Sequence, residues 1–392
     1  MKIYVLSELS PLNHHIGWSC SYGLAEVLAT SCNAQFIYPR PEGLTSVADL
    51  DGRPNLIKRV WQRYSKSWYQ LDELPTLDEG PNILLIVGLS GSFPLSIFTL
   101  KPLLDQFDLK IAYILDGFDA NHLEHTLTAY LDHLFVISAE QVDAIQNRLS
   151  IPTSFLPLGF NTLPQPYSAR RTIDIIGYGR TQPEVHQCLQ RHYNQSAESQ
   201  HIYFHSTFDR GTVRDRQEHN TLHNRLLSLS KISLCFEVSG VPRFCGQSPL
   251  LYRWLEGWAT GCAIVGKQPF GRGVAELMDW PDSTFELPDQ PDEWIPFFEL
   301  LLADEERLQQ VSFRNYQECR RRHDWRYRVK SMFEQVGIPI PGQLQQEITQ
   351  LQKSVSAIAD APAQAKILAT DQTIETKQTQ ANCQLDALRT MR

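Results

Sequence analysis

No C-x-x-C pair occurs among the eight cysteines of this 392-residue chain, which are scattered at 20, 32, 188, 235, 245, 262, 319 and 383. That spacing excludes a zinc ribbon and a disulfide framework, and several of these cysteines sit in apolar strand-like runs where a reduced thiol acts as a small hydrophobe. A reducing, cytoplasmic setting is the expectation. No apolar run approaches the ~20 residues that a spanning helix needs. The opening MKIYVLSEL reads as a strand and lacks the apolar core of a signal peptide. Positive charge is in deficit, 36 Lys and Arg against 44 Asp and Glu, a net −8 that argues against a nucleic-acid partner held by phosphate neutralisation. No D-x-D or other close carboxylate pair stands in a loop suited to a metal. From Gly342 onward there is not one aromatic residue.

What is present reads as a globular chain long enough for two domains, with 42% apolar and 20% charged residues. Short apolar runs alternate with helical periodicity: strands over 2–6, 35–38, 83–87, 110–115, 134–137 and 154–158, and helices over 22–30, 56–68, 94–106 and 140–149. This is the pattern of an α/β fold built on parallel sheets, whose ligands sit outside the carboxyl ends of the strands. Two places in this half lie at such ends. The loop after the first strand carries Asn13, His14, His15 and Gly17, and the strand at 110–115 runs into Asp116-Gly-Phe-Asp119 with His122 six residues beyond Asp116. Asp116, His15 and His122 are the candidate catalytic groups and Gly17 a candidate ligand-binding residue; a turn aspartate, loop polars and a helix-cap histidine are the plainer readings. The proline-containing segment 162–171 reads as a linker.

The most informative stretch is 230–269. An apolar strand at 232–238 leads through a loop with Gly240, Pro242 and Gly246 to Ser248-Pro249, read as the N-cap and first turn of a helix that ends at Gly261. Leu250, Leu251, Trp254, Leu255, Trp258 and Ala259 form one apolar stripe, with Arg253 and Glu256 together on the opposite face. A strand at 262–265 follows. Upstream, Ile173-Asp-Ile-Ile-Gly-Tyr-Gly-Arg180 is a strand ending in glycines and one arginine. Downstream, 292–302 and 305–323 read as helices, followed by His323-Asp-Trp-Arg326.

The run Arg253-Trp-Leu-Glu256-Gly-Trp-Ala259-Thr-Gly261-Cys-Ala-Ile-Val265 resembles the signature of group 1 glycosyltransferases of the two-domain GT-B fold, in the variant R-x-x-E-x-x-A-x-G. The strand ending in Arg180 and the H-x-W of His323 to Trp325 are similar to further elements of that family. The resemblance covers about residues 1–340. It implies two doubly wound Rossmann-like domains facing a cleft: an acceptor-side domain over 1–163, a nucleotide-sugar-binding domain over 172–325, a crossover helix over 326–340 and a polar tail, helical or disordered, over 341–392. It implies transfer of a sugar from a nucleotide-diphosphate sugar to a hydroxyl acceptor (glycan, lipid or small molecule), with no metal, no cofactor beyond the donor, and retention of configuration favoured. Glu256 would bind the donor ribose and Arg180 the diphosphate, with Lys231, Gln247, Ser248 and Arg253 as further donor contacts. The chain departs from the family in two places: the lysine usual after the arginine is missing, and Ser248 stands where many members carry a glutamate. Two other readings stay open, a non-catalytic binding or scaffold protein of the same fold and a nucleotide-sugar epimerase.

The basic stretch of Arg314, Arg320, Arg321, Arg322, Arg326, Arg328 and Lys330 reads as a solvated helix face, with weak peripheral membrane contact as its rival. Leu344, Ile348, Leu351, Val355 and Ile358 step at heptad spacing, and self-association through 343–360 is the expectation for them.

Overall fold

The computed structural model describes residues 1–9, 15–41, 69–70, 75–89, 104–120, 123, 130–206 and 213–360. Asn13, His14, His122, the helical stripe at 56–68, the 94–103 part of the next helix and the chain after 360 lie outside the described residues.

Two parallel sheets with interleaved helices make up the fold. The first holds β1 (Lys2–Ser7), β2 (Gln35–Ile37), β5 (Asn82–Gly88), β6 (Leu109–Ile114), β7 (His133–Val136) and β8 (Thr153–Phe155), in the order β2-β1-β5-β6-β7-β8 and parallel throughout. A two-stranded antiparallel ribbon, β3 (Arg40–Pro41) with β4 (Tyr69–Gln70), stands apart from it. The central strands are buried on both faces, which is why they read as unbroken apolar runs. Helices α1 (Ser19–Cys32) and α2 (Ala139–Leu149) belong to this lobe.

The second sheet holds β9 (Ile173–Gly177), β10 (Tyr203–His205), β11 (Ser230–Phe236), β12 (Ala263–Lys267) and β13 (Phe285–Glu286), in the order β10-β9-β11-β12-β13, again parallel. Its helices are α3 (Pro183–Leu189, continued by one π turn), α4 (Arg216–Ser228, capped by Asp215), α5 (Tyr252–Thr260), α6 (Val274–Leu277), α7 (Trp294–Ala303) and α8 (Glu305–Arg322). Among the described residues no helix is long and apolar enough to cross a membrane.

Helix α5 corrects one expectation. It begins at Tyr252 and has no side-chain cap. Ser248 is drawn away because its hydroxyl donates to Glu237 Oε2 at 3.1 Å and receives the Phe270 amide at 3.3 Å. The far end is as expected: Gly261 closes the helix with φ 78°, a left-handed conformation that a side chain would strain. Trp254 and Trp258 are fully buried.

The lobes are joined at His323–Arg326. Phe160 and Asp324 form a parallel bridge, with Phe160 N donating to His323 O at 2.8 Å and Trp325 N to Phe160 O at 3.1 Å. Asp324, wholly buried, accepts from the Thr162 amide at 2.8 Å and the Thr162 hydroxyl at 2.6 Å. Trp325 lies so close to Gly159 that a β-carbon there would come within 2.9 Å of its backbone. The H-x-W element therefore packs the lobes together. Helix α9 (Trp325–Gln335) then runs back over α1.

The tail and the basic stretch also differ from expectation. Helix α10 (Gly342–Asp360) docks on α1, α8 and α9, burying Leu344, Ile348 and Leu351 in the chain's own core. Its Glu347 accepts from Ser31 at 2.6 Å and from Arg326 at 2.5 Å. A stripe repeating every three or four residues needs an apolar partner, and for Leu344, Ile348 and Leu351 that partner is intramolecular. The basic stretch is likewise engaged within the chain. Arg320 donates to Thr162 O at 2.6 Å, Arg328 to Leu158 O at 3.3 Å, and Arg321 and Arg322 both pair with Glu318. Arg320 and Arg326 are buried, not solvated as the sequence suggested.

Candidate functional site

The carboxyl ends of the two sheets face each other across a cleft, and charge collects there. Arg253 leaves the first turn of α5 and its Nη1 donates to the main-chain oxygen of Arg180, just beyond β9. Gly179, with φ 62°, lies under the Arg253 guanidinium, where a β-carbon would sit 3.3 Å from Nη2. Arg180 and Arg243 both lie over the Phe244 ring, at 5.4 and 4.7 Å from its centroid. Partial burial and then the like charges of Arg243 and Arg253 push the Arg180 guanidinium below its ordinary range, with Asp116 opposing. Three guanidinium groups thus converge where one carboxylate, Asp116, reaches from the opposite lobe, 3.4 Å from Arg243. Burial pushes the Asp116 carboxyl up, and Arg243 and Arg180 pull it back down. Such a cluster is under-neutralised and suits an anion of higher charge.

One helical turn beyond Arg253, Glu256 is only 8% exposed, not on a solvated face. Its Oε2 accepts from the Tyr178 hydroxyl at 3.2 Å, and its Oε1 lies 3.7 Å from His223 Nε2 on α4. Burial raises the Glu256 carboxyl to about 7, against the smaller opposing effects of Arg253 and Tyr178. Burial, and then His219, lowers His223 to about 4, so it stands neutral beside the carboxylate at neutral pH. Glu256 also lines a cavity of about 480 Å³ between the lobes.

The structure brings Asp116, Arg180, Arg253 and Glu256 to one cleft; His122 lies outside the described residues, and the remaining candidates are engaged as follows. Lys231 is at the amino end of β11, bound to Asp174 at 2.8 Å, on the far side of the sheet from the ligand end. Gln247 is buried as an interlobe clasp: its Nε2 donates to Phe118 O at 2.6 Å and its Oε1 accepts from Ser138. Ser248, also buried, is held by Glu237 and serves loop 268–273 through the Phe270 and Gly271 amides. His15 Nδ1 accepts from the Gly17 amide at 3.1 Å, so this pair shapes its own turn. Arg243, Tyr178, His223 and Glu237 are additions. Arg243 stands on the single 3-10 turn Pro242–Phe244, too short for periodicity to single it out. Glu237 ends the β11 apolar run, and a carboxylate at that point was the one available signal. Among the described residues no group of three or more His, Cys, Asp or Glu could hold a metal ion.

No family model and no curated protein matches the chain. Solved structures similar to it include Anabaena HepE in complex with UDP and glucose, at 11% identity over 86% of this chain and 100% of that one, TM-score 0.49. An alpha-glucosyltransferase in complex with UDP and a 13-mer DNA is similar at 11% identity over 86% of this chain and 100% of that one, TM-score 0.48. A glycosyltransferase from Rickettsia africae is similar at 11% identity over 85% and 97% of the two chains, TM-score 0.43.

Proposed function

We propose that this chain is a glycosyltransferase that moves a sugar from a nucleotide-diphosphate sugar to a hydroxyl acceptor. The observation that carries the reading is the convergence of Arg180, Arg243 and Arg253 one helical turn from the buried carboxylate of Glu256. A departing diphosphate gains negative charge as its bond to the sugar breaks, and fixed guanidinium groups lower the energy of that state. A carboxylate beside them accepts hydrogen bonds from the two ribose hydroxyls of the nucleotide. The motif of α5 resembles the donor-site helix of group 1 glycosyltransferases in the same positions. In this reading the arginines supply the charge stabilisation, with no metal required. Asp116 occupies the place of the anion between lobes until the donor arrives, then faces the acceptor side. Its raised carboxyl makes it the candidate general base for the acceptor hydroxyl. Glu237, with Ser248 hydrogen-bonded to it, is the second carboxylate near the transferred sugar.

Calorimetric titration with UDP, GDP and ADP, followed by a donor-hydrolysis assay with the matching nucleotide-sugars, tests the reading. Binding of one nucleoside diphosphate, with slow release of free sugar from its conjugate, is expected. Binding without turnover, with or without added acceptors, would instead mark a binding protein of the same architecture.

A further inference from the structure

Strands β2, β8, β10 and β13 are the outermost of the two sheets among the described residues. An outermost strand leaves one row of backbone N–H and C=O groups open to another chain, and proline or charge near the strand is the usual guard. Strand β2 is followed by Tyr38-Pro39, β8 lies between Pro152 and Pro157, and β13 contains Glu286 with Pro288 behind it. Strand β10 has neither guard. From His201 to Thr207 the sequence is His-Ile-Tyr-Phe-His-Ser-Thr, with no proline and no Asp, Glu, Lys or Arg. Ile202, just ahead of the strand, and Phe204 within it are 51% and 39% exposed. Two residues apart, they share one face of the sheet.

What stands at this edge instead is one side chain. Ile202 and Ser206 bond to β9, through Ile202 O to the Ile175 amide at 3.1 Å and through the Ser206 amide to Gly177 O at 3.2 Å. Backbone groups alternate in direction along a strand, so those of Tyr203 and His205 point outward. Both outward groups of Tyr203 are taken by Asn194: its Nδ2 donates to Tyr203 O at 2.8 Å, and its Oδ1 accepts from the Tyr203 amide at 3.3 Å. The carboxamide pairs with the strand as the backbone of a neighbouring strand would. Asn194 is brought there by the π turn Gln190–Asn194 that continues α3, a wider turn than the helix before it, closed by Gln195 N on Gln190 O at 3.1 Å. That turn is anchored by Tyr193, buried in the core, and by His192, 3.3 Å from Glu299 of α7.

We infer that Asn194 is an edge guard, which keeps the second sheet from pairing strand against strand with a second copy of this chain. The geometry of the excluded pairing singles out that partner. A two-fold axis through Phe204 sets two β10 strands antiparallel, with Tyr203 of each opposite His205 of the other. The outward groups of those residues would exchange hydrogen bonds, and the two Phe204 rings would meet as a cross-strand aromatic pair on the open face. Every hydrogen bond of that pairing has a Tyr203 group at one end. One asparagine in each chain therefore blocks all of them.

Sedimentation velocity over a wide range of concentration tests this on wild type, on Asn194→Ala, and on Asn194→Ala combined with Phe204→Lys. Asn194→Ala is expected to self-associate at least ~10-fold more tightly than wild type. The double variant is expected to revert to wild-type behaviour, because lysine on an outer strand is itself a guard. Asn194→Ala that associates no more than wild type, with an unchanged melting curve, overturns the inference. So does association that survives Phe204→Lys, since the contact then lies elsewhere. Amide hydrogen exchange gives a reading that needs no variant to fold. The wild-type Tyr203 N–H is expected to be protected, and exchange at the rate of an open loop would show that Asn194 does not hold the edge. In Asn194→Ala that protection is expected to be lost in dilute solution and regained in concentrated solution.

Discussion

Arg253 donates to the main-chain oxygen of Arg180, 73 residues away in sequence, so two cations from separate elements are held at one point of the cleft. Like charges are brought together in a fold only when something else fixes them. Here the fixing is done by a backbone carbonyl, by Gly179 under the guanidinium and by the Phe244 ring beneath Arg180 and Arg243.

Removing one member should weaken anion binding more than stability. Arg243→Ala and Arg180→Ala are each expected to lower nucleoside diphosphate affinity by ~10-fold or more while leaving uncharged nucleoside binding unchanged, since a charge-assisted contact is worth ~1.5–3 kcal/mol. Calorimetry with both ligands reads this directly. Equal loss for both ligands would mean that the cleft had rearranged.

Glu256→Gln should separate stability from binding. The folded carboxyl titrates at about 7 against an ordinary 4.5. Between those values the folded chain retains a proton that the unfolded chain has lost, so stability falls as pH rises and the full loss is present above 7. The glutamine variant is therefore expected to be more stable than wild type at pH 8, by up to about 3 kcal/mol, and so to melt higher, with little difference at pH 4. Its nucleoside diphosphate affinity should fall ~10-fold at pH 8, because an amide offers one acceptor oxygen in place of two. A lower Tm at pH 8 would show that the ionised group is better solvated than its burial indicates.

The contrast between these residues shows what could be read in advance. Arg180, Arg253 and Glu256 were legible because strand, glycine and helix signals bracket them at set spacings. Lys231 was misplaced by the same reasoning: it is close in sequence to the site, yet a strand has two ends and the charge sits at the wrong one. Arg243 and His223 left no signal, one on a single 3-10 turn and the other on a polar helix. The heptad at 344–351 was visible as a stripe, but a stripe does not name its partner. Alternation of strand and helix carried the parallel sheets, while Ser248 failed as a cap because Glu237, eleven residues earlier, competes for its hydroxyl.

Glu347→Ala should destabilise the whole molecule. Burial pushes this carboxyl up, but hydrogen bonds from Ser31, Gln343 and Arg326 outweigh it and hold the group below its ordinary value. Its loss leaves part of the Arg326 guanidinium, 4% exposed, without a partner. A cost of ~1–3 kcal/mol in chemical denaturation is expected. Truncation before 342 removes Leu344, Ile348 and Leu351 as well and should prevent soluble expression. A truncated chain with wild-type stability would show that α10 adds nothing to the core.

Gln247→Leu should loosen the lobes. The substitution keeps the volume but strands the Phe118 carbonyl and leaves the Ser138 hydroxyl with Glu140 as its acceptor, so the tie across the lobes is lost. A lower Tm and a larger radius of gyration in small-angle scattering are expected, both reversed by a saturating nucleoside diphosphate. If the scattering curve does not change, the clasp is not what holds the cleft shut.

The paired crossing at Phe160 and Asp324 acts as a pivot, because both chain passages between lobes run side by side there. Motion about such an axis grows with distance from it. Phe160 and Asn161 line the cavity next to Glu256, so that pocket sits close to the axis. Arg272, tied to Glu140 at 2.6 Å and Asp143 at 2.8 Å across the far lip, rides the long radius. Any rotation about that crossing would therefore displace the Arg272 lip further than the cavity beside Glu256.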